Sequence, residues 1–130
     1  MHIFLDAGGG SILAFFELPN SPPMGRDPNT PEWTQHIAFK VKDMPTLEAA
    51  RDKVLAAGLD VVGPTDHTIF KSIYFFDPSG HRLELACDTA TPAQWKRMQD
   101  VSGAMVEEWA ETKKPPRHTA WLHADEFAAT

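Results

Sequence analysis

The chain has 130 residues and a mass of 14.4 kDa, which suits one domain over residues 1–130. Hydrophobic residues make up 42% and charged residues 23%, which excludes a disordered chain, and a net charge of −6 argues against a nucleic-acid partner. No apolar run approaches the roughly 18 residues of a membrane span, and a single cysteine without a visible signal peptide predicts a reducing, cytoplasmic location.

The first predicted element is a β-hairpin over residues 2–18. Two apolar stretches flank a run of three glycines, and glycine adopts the positive φ angles that tight turns require. Five of the 11 prolines follow within residues 19–31. Because proline fixes φ and removes a hydrogen-bond donor, this segment is predicted to be a loop.

Residues 34–87 are predicted to form a strand, a helix and three further strands. The helix begins near Asp43 and Pro45, carries apolar residues at helical spacing and ends at Gly58. Alternation and turn residues place strands over residues 34–42, 71–76 and 82–87, and a short strand with its turn over residues 61–64. This part of the chain is therefore interpreted as a complete βαβββ module.

One internal repeat organises the chain. The hairpin over residues 2–18 resembles a second hairpin over residues 72–87, with an apolar strand, an aspartate, a glycine-containing turn and another apolar strand in each. The complete module is thus preceded by the last two strands of another. A helix with an apolar stripe is predicted over residues 92–111, packed on the sheet rather than offering a groove to a partner, and residues 112–130 are predicted to be an extended tail.

Three side chains are predicted to share one face of the sheet. Strand alternation places His36, Tyr74 and Glu84 opposite the apolar face, so that they project into one concave surface. A converging imidazole and carboxylate are half of a metal site, which needs a third protein ligand and open positions for substrate. The alternative to a functional role is purely structural. His36 would then be a hydrogen-bonded histidine of a strand, and Tyr74 an aromatic side chain of the core.

The segment over residues 65–84 resembles the signature of the extradiol ring-cleaving dioxygenases. These belong to the vicinal oxygen chelate superfamily, together with glyoxalase I and the fosfomycin and bleomycin resistance proteins. The matching positions are Thr65, His67, Ile73, Tyr74, Asp77, Pro78, Gly80 and Glu84. The ending Asp-Pro-x-Gly-x-x-x-Glu is shared across the superfamily and indicates the fold, whereas the preceding histidine and tyrosine discriminate better between reactions.

This resemblance implies an α+β fold of the vicinal oxygen chelate type, with helices outside a curved mixed sheet. It implies that His36 and Glu84 bind the metal, that His67 and Tyr74 orient the bound substrate, and that His2 acts as an acid–base group. The expected metal is Fe(II), with Mn2+, Zn2+ and Ni2+ as alternatives. The expected substrate is a catechol or a related small aromatic compound.

The first metal-binding histidine of the family belongs on a strand that precedes the hairpin and is absent here. Glyoxalases carry a glutamate ligand on the last strand of the earlier module. Matching the two hairpins places Leu13 or Ala14 at this position, depending on turn length. Neither side chain binds a metal. This favours two histidines and one carboxylate over the glyoxalase arrangement. His118, His123 or a histidine of a second chain are the candidates for the third ligand.

An isolated hairpin is too small to be stable and leaves an exposed strand edge, so a homodimer is expected. The alternative is a natural chain that extends upstream through the missing strand–helix–strand.

Two functions other than a dioxygenase are also open. One is a non-redox metalloenzyme of the same fold, such as an isomerase, epimerase or resistance enzyme, and the other is a metal-free protein that binds a small molecule between two chains. Intact His36 and Glu84 argue against the metal-free protein.

Overall fold

The computed structural model describes residues 1–23 and 25–117. In chain order the elements are β1 (His2–Gly8), β2 (Ser11–Phe16), β3 (Ile37–Lys40), α1 (Met44–Ala56), β4 (Val62–Asp66), β5 (Phe70–Phe76), β6 (Arg82–Asp88) and α2 (Pro92–Thr112). The predicted α+β class, with a hairpin, a βαβββ unit and a C-terminal helix, is therefore confirmed.

The described strands form two separate sheets. β1 and β2 pair with each other as an antiparallel hairpin, and the other strands form a four-stranded sheet in the order β3-β6-β5-β4. β3 runs parallel to β6 because α1 carries the chain back across the sheet, whereas β5 is antiparallel to both β6 and β4. β6, which carries Glu84, is consequently flanked by strands on both sides.

The core lies between α1 and one face of the four-stranded sheet. Leu47 of α1, Ile73 of β5 and Cys87 of β6 are buried together, and Leu85 packs against them. Full burial of a side chain such as Leu47 contributes roughly 1.5–3 kcal/mol to stability. The predicted alternation along β5 and β6 is confirmed, because the residues between these apolar positions point to the other face.

Both ends of α1 follow from local chemistry. Asp43 caps the first turn, and its Oδ1 accepts a hydrogen bond from the Thr46 amide at 2.9 Å. The hydrogen bonds from the Thr46 hydroxyl and amide lower the pKa of the Asp43 carboxyl. Just beyond the helix, Gly58 has a φ of +79°, which a residue with a Cβ adopts only under strain.

β3 is shorter than the strand predicted over residues 34–42. The Thr34 amide donates to the Pro31 carbonyl at 3.0 Å. Because of this turn, the residues just before β3 do not pair with a neighbouring strand. His36 therefore lies directly before β3 rather than within it. Ala38 of β3 is still paired with Glu84 of β6, so His36 is held close to that residue.

α2 contributes no residue to the core cluster of the described residues. It starts with a capping box, in which the Thr91 hydroxyl accepts from the Gln94 amide and the Gln94 side chain accepts from the Thr91 amide. Trp95, Val106 and Trp109 are exposed. The apolar spacing indicated a helix correctly, but within residues 1–23 and 25–117 the helix adds nothing to the core that covers the sheet.

The hairpin leaves most of its large apolar side chains in solvent. They are Ile3, Phe4, Leu5, Ile12, Phe15 and Phe16, of which Phe4 is 65% and Ile12 is 71% exposed. β1 and β2 form no ladder with the four-stranded sheet. Apolar side chains exposed in this number are typical of an interaction site. Among the described helices, none is long and apolar enough to cross a membrane.

Candidate metal centre

Glu84 and His36 meet on the sheet face opposite the core. His36 Nε2 lies 2.8 Å from Glu84 Oε2. Glu84 is only 5% exposed, whereas the His36 side chain is 28% exposed. The strands thus bring a buried carboxylate against an imidazole that solvent can reach, as the sequence predicts.

The carbonyl of Trp33 orients the His36 ring. His36 Nδ1 lies 3.2 Å from this oxygen, and because a carbonyl only accepts hydrogen bonds, Nδ1 carries the proton. In the neutral ring, Nε2 then presents its lone pair toward Glu84. Histidines that bind metals typically donate their other ring N–H to a carbonyl or carboxylate in this way.

The His36–Glu84 pair fits a divalent metal. A neutral Nε2 and a carboxylate oxygen are both acceptors, so they attract each other only through a shared cation, which is either a proton or a metal ion. When two ligand atoms are each about 2.1 Å from a metal ion and their bonds meet at the ion at a right angle, the two ligand atoms lie about 3 Å apart. This is close to the observed 2.8 Å. Imidazole nitrogen and carboxylate oxygen suit Fe(II), Mn2+, Zn2+ and Ni2+ alike.

The described part of the chain supplies no third ligand. No group of three or more His, Cys, Asp or Glu side chains there is close enough to hold a metal ion. In the hairpin, Leu13 and Ala14 carry no ligand atom, and Glu17 pairs with the N-terminal amine at 3.4 Å. The candidates His118 and His123 lie outside the described residues.

Two hydroxyl groups of β5 hold the other oxygen of Glu84. Tyr74 Oη donates to Glu84 Oε1 at 3.1 Å, and Ser72 Oγ donates to the same oxygen. Tyr74 lies directly opposite Glu84 in the antiparallel ladder, and Ser72 is fully buried two residues earlier on the same face. These bonds leave Oε2 for His36. Sequence reasoning missed Ser72, although its period-two spacing from Tyr74 placed it on this face.

His67 extends the site on the far side of Tyr74. Its Nε2 lies 2.8 Å from Tyr74 Oη, and its ring stacks on Phe70 at a centroid distance of 4.7 Å. Burial, together with the neighbouring Glu84 carboxylate, raises the pKa of Tyr74, so the phenol keeps its proton at neutral pH. His67, Tyr74 and Glu84 therefore form a hydrogen-bonded chain, and the second carboxylate oxygen of Glu84 faces His36 Nε2.

His2 is not part of this chain. It lies on β1, and its ring contacts Phe4 at 4.2 Å and Phe16 at 3.9 Å within the same hairpin. Within the described part of the protein, no hydrogen bond or ring contact joins His2 to His36 or Glu84. The acid–base role expected for His2 stays a prediction.

The sequence matches one family model over residues 1–85, described as the Glyoxalase/Bleomycin resistance protein/Dioxygenase superfamily. The chain belongs to this superfamily. Its members typically bind divalent metals, act on small-molecule substrates and are often dimers. The family expected from the segment over residues 65–84 is thus confirmed.

Three solved structures are similar to parts of this superfamily member. The fosfomycin resistance protein FosX from Listeria monocytogenes is 28% identical over 43% of this chain and 47% of its own, with a TM-score of 0.38. The integron cassette protein HFX_CASS4 from the Halifax Harbour sewage metagenome is 24% identical over 65% and 66%, with a TM-score of 0.46. SMU.1112c is 35% identical over 51% and 49%, with a TM-score of 0.38. The chain spans about half the length of FosX and SMU.1112c.

A cavity of about 360 Å³ opens beside His36. Its walls are the loop before β3 and the turn between β5 and β6. Arg26 joins the two walls, because it donates to the Gly80 carbonyl, pairs with Glu32 at 3.3 Å and lies over the Phe76 ring. The volume falls in the range of pockets for small ligands, roughly 300–1,000 Å³. The proline-rich segment is therefore a wall of the site and not only a linker.

Proposed function

We propose that this chain is a metal-dependent dioxygenase of the extradiol type, acting on a catechol or a related small aromatic compound. The observation that carries the proposal is the row of contacts from His67 through Tyr74 and Glu84 to His36, which ends beside a cavity of suitable size. The agreement of the segment over residues 65–84 with the dioxygenase signature supports the same reaction.

The proposed metal is Fe(II), held by His36 Nε2 and Glu84 Oε2. When bound, such an ion supplies the Lewis-acid and redox chemistry that lets an aromatic diol react with O2. Fe(II) is favoured over Mn2+, Zn2+ and Ni2+ because two histidines and one carboxylate, with open positions, are typical of non-haem Fe(II) oxygenases. The third ligand is proposed to come from a second chain or from His118 or His123.

Tyr74 and His67 are proposed to orient the substrate and to move its protons. Tyr74 Oη is held at 2.8 Å from His67 Nε2 and at 3.1 Å from Glu84 Oε1, so its position is fixed before a ligand arrives. A substrate oxygen beside Glu84 would accept the phenol hydrogen bond in place of Glu84 Oε1, which keeps its hydrogen bond from Ser72. Imidazole is the commonest general acid or base in proteins, which suits His67 for taking a proton from the bound diol.

Oxygen uptake tests the reaction. Protein purified without oxygen and loaded with Fe(II) is expected to consume one O2 for each catechol, and both atoms of labelled O2 should enter the ring-opened product. The Zn2+-loaded protein and the Glu84→Gln variant should consume none, because the first lacks redox chemistry and the second lacks a ligand. Tight metal binding without uptake across a panel of catechols would contradict the dioxygenase and favour the non-redox metalloenzyme.

The assembly that we propose is a homodimer formed through the apolar side chains of the hairpin. Light scattering at micromolar concentration is expected to give twice the 14.4 kDa of one chain. Phe4→Asp should produce a monomer, because a carboxylate placed in a buried interface is strongly unfavourable. Val106→Asp, at an exposed position of α2, is the matched control and should leave the dimer intact. A parent protein of 14.4 kDa would refute the assembly.

A further inference from the structure

Arg82 places a guanidinium group on the site face of β6. It lies two residues before Glu84, and its Cζ is 4.7 Å from the centroid of the Tyr74 ring. The same side chain lines the cavity together with His36. A positive charge is thus positioned between the tyrosine and the space where a ligand would lie.

The Arg82 guanidinium has no hydrogen-bond or ion-pair partner in the described part of the chain, and its Nε is buried. The other arginine of the cavity wall, Arg26, donates to Gly80 and pairs with Glu32. Buried donors in proteins are nearly always satisfied, so an unsatisfied one at the edge of a cavity indicates a missing acceptor.

Glu84 is not that acceptor in the described part of the chain. Its Oε1 is held by Ser72 and Tyr74, and its Oε2 faces His36. The planar fork of a guanidinium matches the oxygens of a carboxylate or phosphonate, which it binds through two parallel hydrogen bonds. In a chain with a net charge of −6, a locally unpaired cation is also the feature that attracts an anion.

We propose that Arg82 binds an oxyanion group of the substrate while the rest of that molecule lies in the cavity beside His36. The inference rests on the proposed function, since it takes this cavity as the substrate site. It narrows the substrate class to small organic acids, with a carboxylate or phosphonate at one end and the metal-binding oxygens at the other.

The anion site can be tested without any metal. In ¹⁵N-labelled protein, benzoate or phenylphosphonate is titrated while the Nε–H resonances of the arginines are followed. A saturable shift of the Arg82 resonance is expected, with no shift for Arg51, which pairs with Asp52 on α1, and none on addition of benzamide. The anion with the lower dissociation constant shows whether Arg82 prefers a carboxylate or a phosphonate. If neither anion shifts the Arg82 resonance, the proposal is overturned.

Calorimetry on the Fe(II)-loaded protein separates this proposal from the dioxygenase proposal. Arg82→Met should weaken binding of 3,4-dihydroxybenzoate by about ten- to hundredfold and leave catechol binding unchanged, because only the acid uses the guanidinium. Arg51→Met is the matched control and should change neither. If Arg82→Met binds both compounds like the parent, the anion site fails and the proposed function stands. If the parent binds neither compound while benzoate still shifts the Arg82 resonance, the proposed function fails and the anion site stands.

Discussion

Replacing His36 by alanine is expected to weaken divalent-metal binding by more than about a hundredfold, and Glu84→Gln is expected to do the same. Each change leaves only one of the two proposed protein ligands. Loss of residues that merely orient ligands already lowers metal affinity by about 10–100-fold, so loss of a ligand itself should exceed that range. Isothermal titration with Fe(II) or Mn2+ under anaerobic conditions measures the effect directly.

His81→Ala is the matched control for these variants. His81 lies in the turn between β5 and β6, its side chain is 47% exposed, and it contacts Asp77 at 3.1 Å rather than Glu84. Its removal should leave metal affinity unchanged, and far-UV circular dichroism should be the same for all three variants. Parent-like metal binding by either His36→Ala or Glu84→Gln would show that the site is misplaced.

The parts of the site that follow from the sequence are those that depend on local pattern. Alternation along β5 and β6 is a property of each strand, so it places Ile73 and Cys87 in the core and Tyr74 opposite them without knowledge of the fold. The tight turn between these strands then fixes their register, which sets Tyr74 directly against Glu84. The structural core of the site was therefore predictable.

The remaining features depend on contacts between distant residues, which no local pattern encodes. Arg26 joins the proline-rich loop to Gly80, 54 positions further along the chain, and so turns a predicted linker into a cavity wall. The turn before β3 moves His36 out of the strand, yet it also brings the Trp33 carbonyl to Nδ1 of the ring. Likewise, the apolar stripe of α2 specified a helix but not the surface that the helix contacts.

Tyr74→Phe is expected to reduce turnover on a true substrate by about ten- to hundredfold. The change removes one hydrogen bond to a charged substrate oxygen, which contributes about 1.5–3 kcal/mol to transition-state stability. Because burial raises the pKa of Tyr74, the parent phenol stays protonated to a higher pH than a free tyrosine. The variant should therefore lower the rate across the neutral range without changing the shape of the pH profile.

Metal affinity distinguishes this role from a structural one. Glu84 Oε1 keeps its hydrogen bond from the buried Ser72 hydroxyl when the Tyr74 hydroxyl is removed, so the metal affinity of Tyr74→Phe should fall less than its turnover. Ser72→Ala is the matched comparison, because it removes the other donor to the same oxygen but no group that contacts substrate. It should weaken metal binding by about 10–100-fold and regain most of its turnover at saturating metal. Parent-like turnover in Tyr74→Phe would instead mean that the tyrosine serves only to hold the carboxylate.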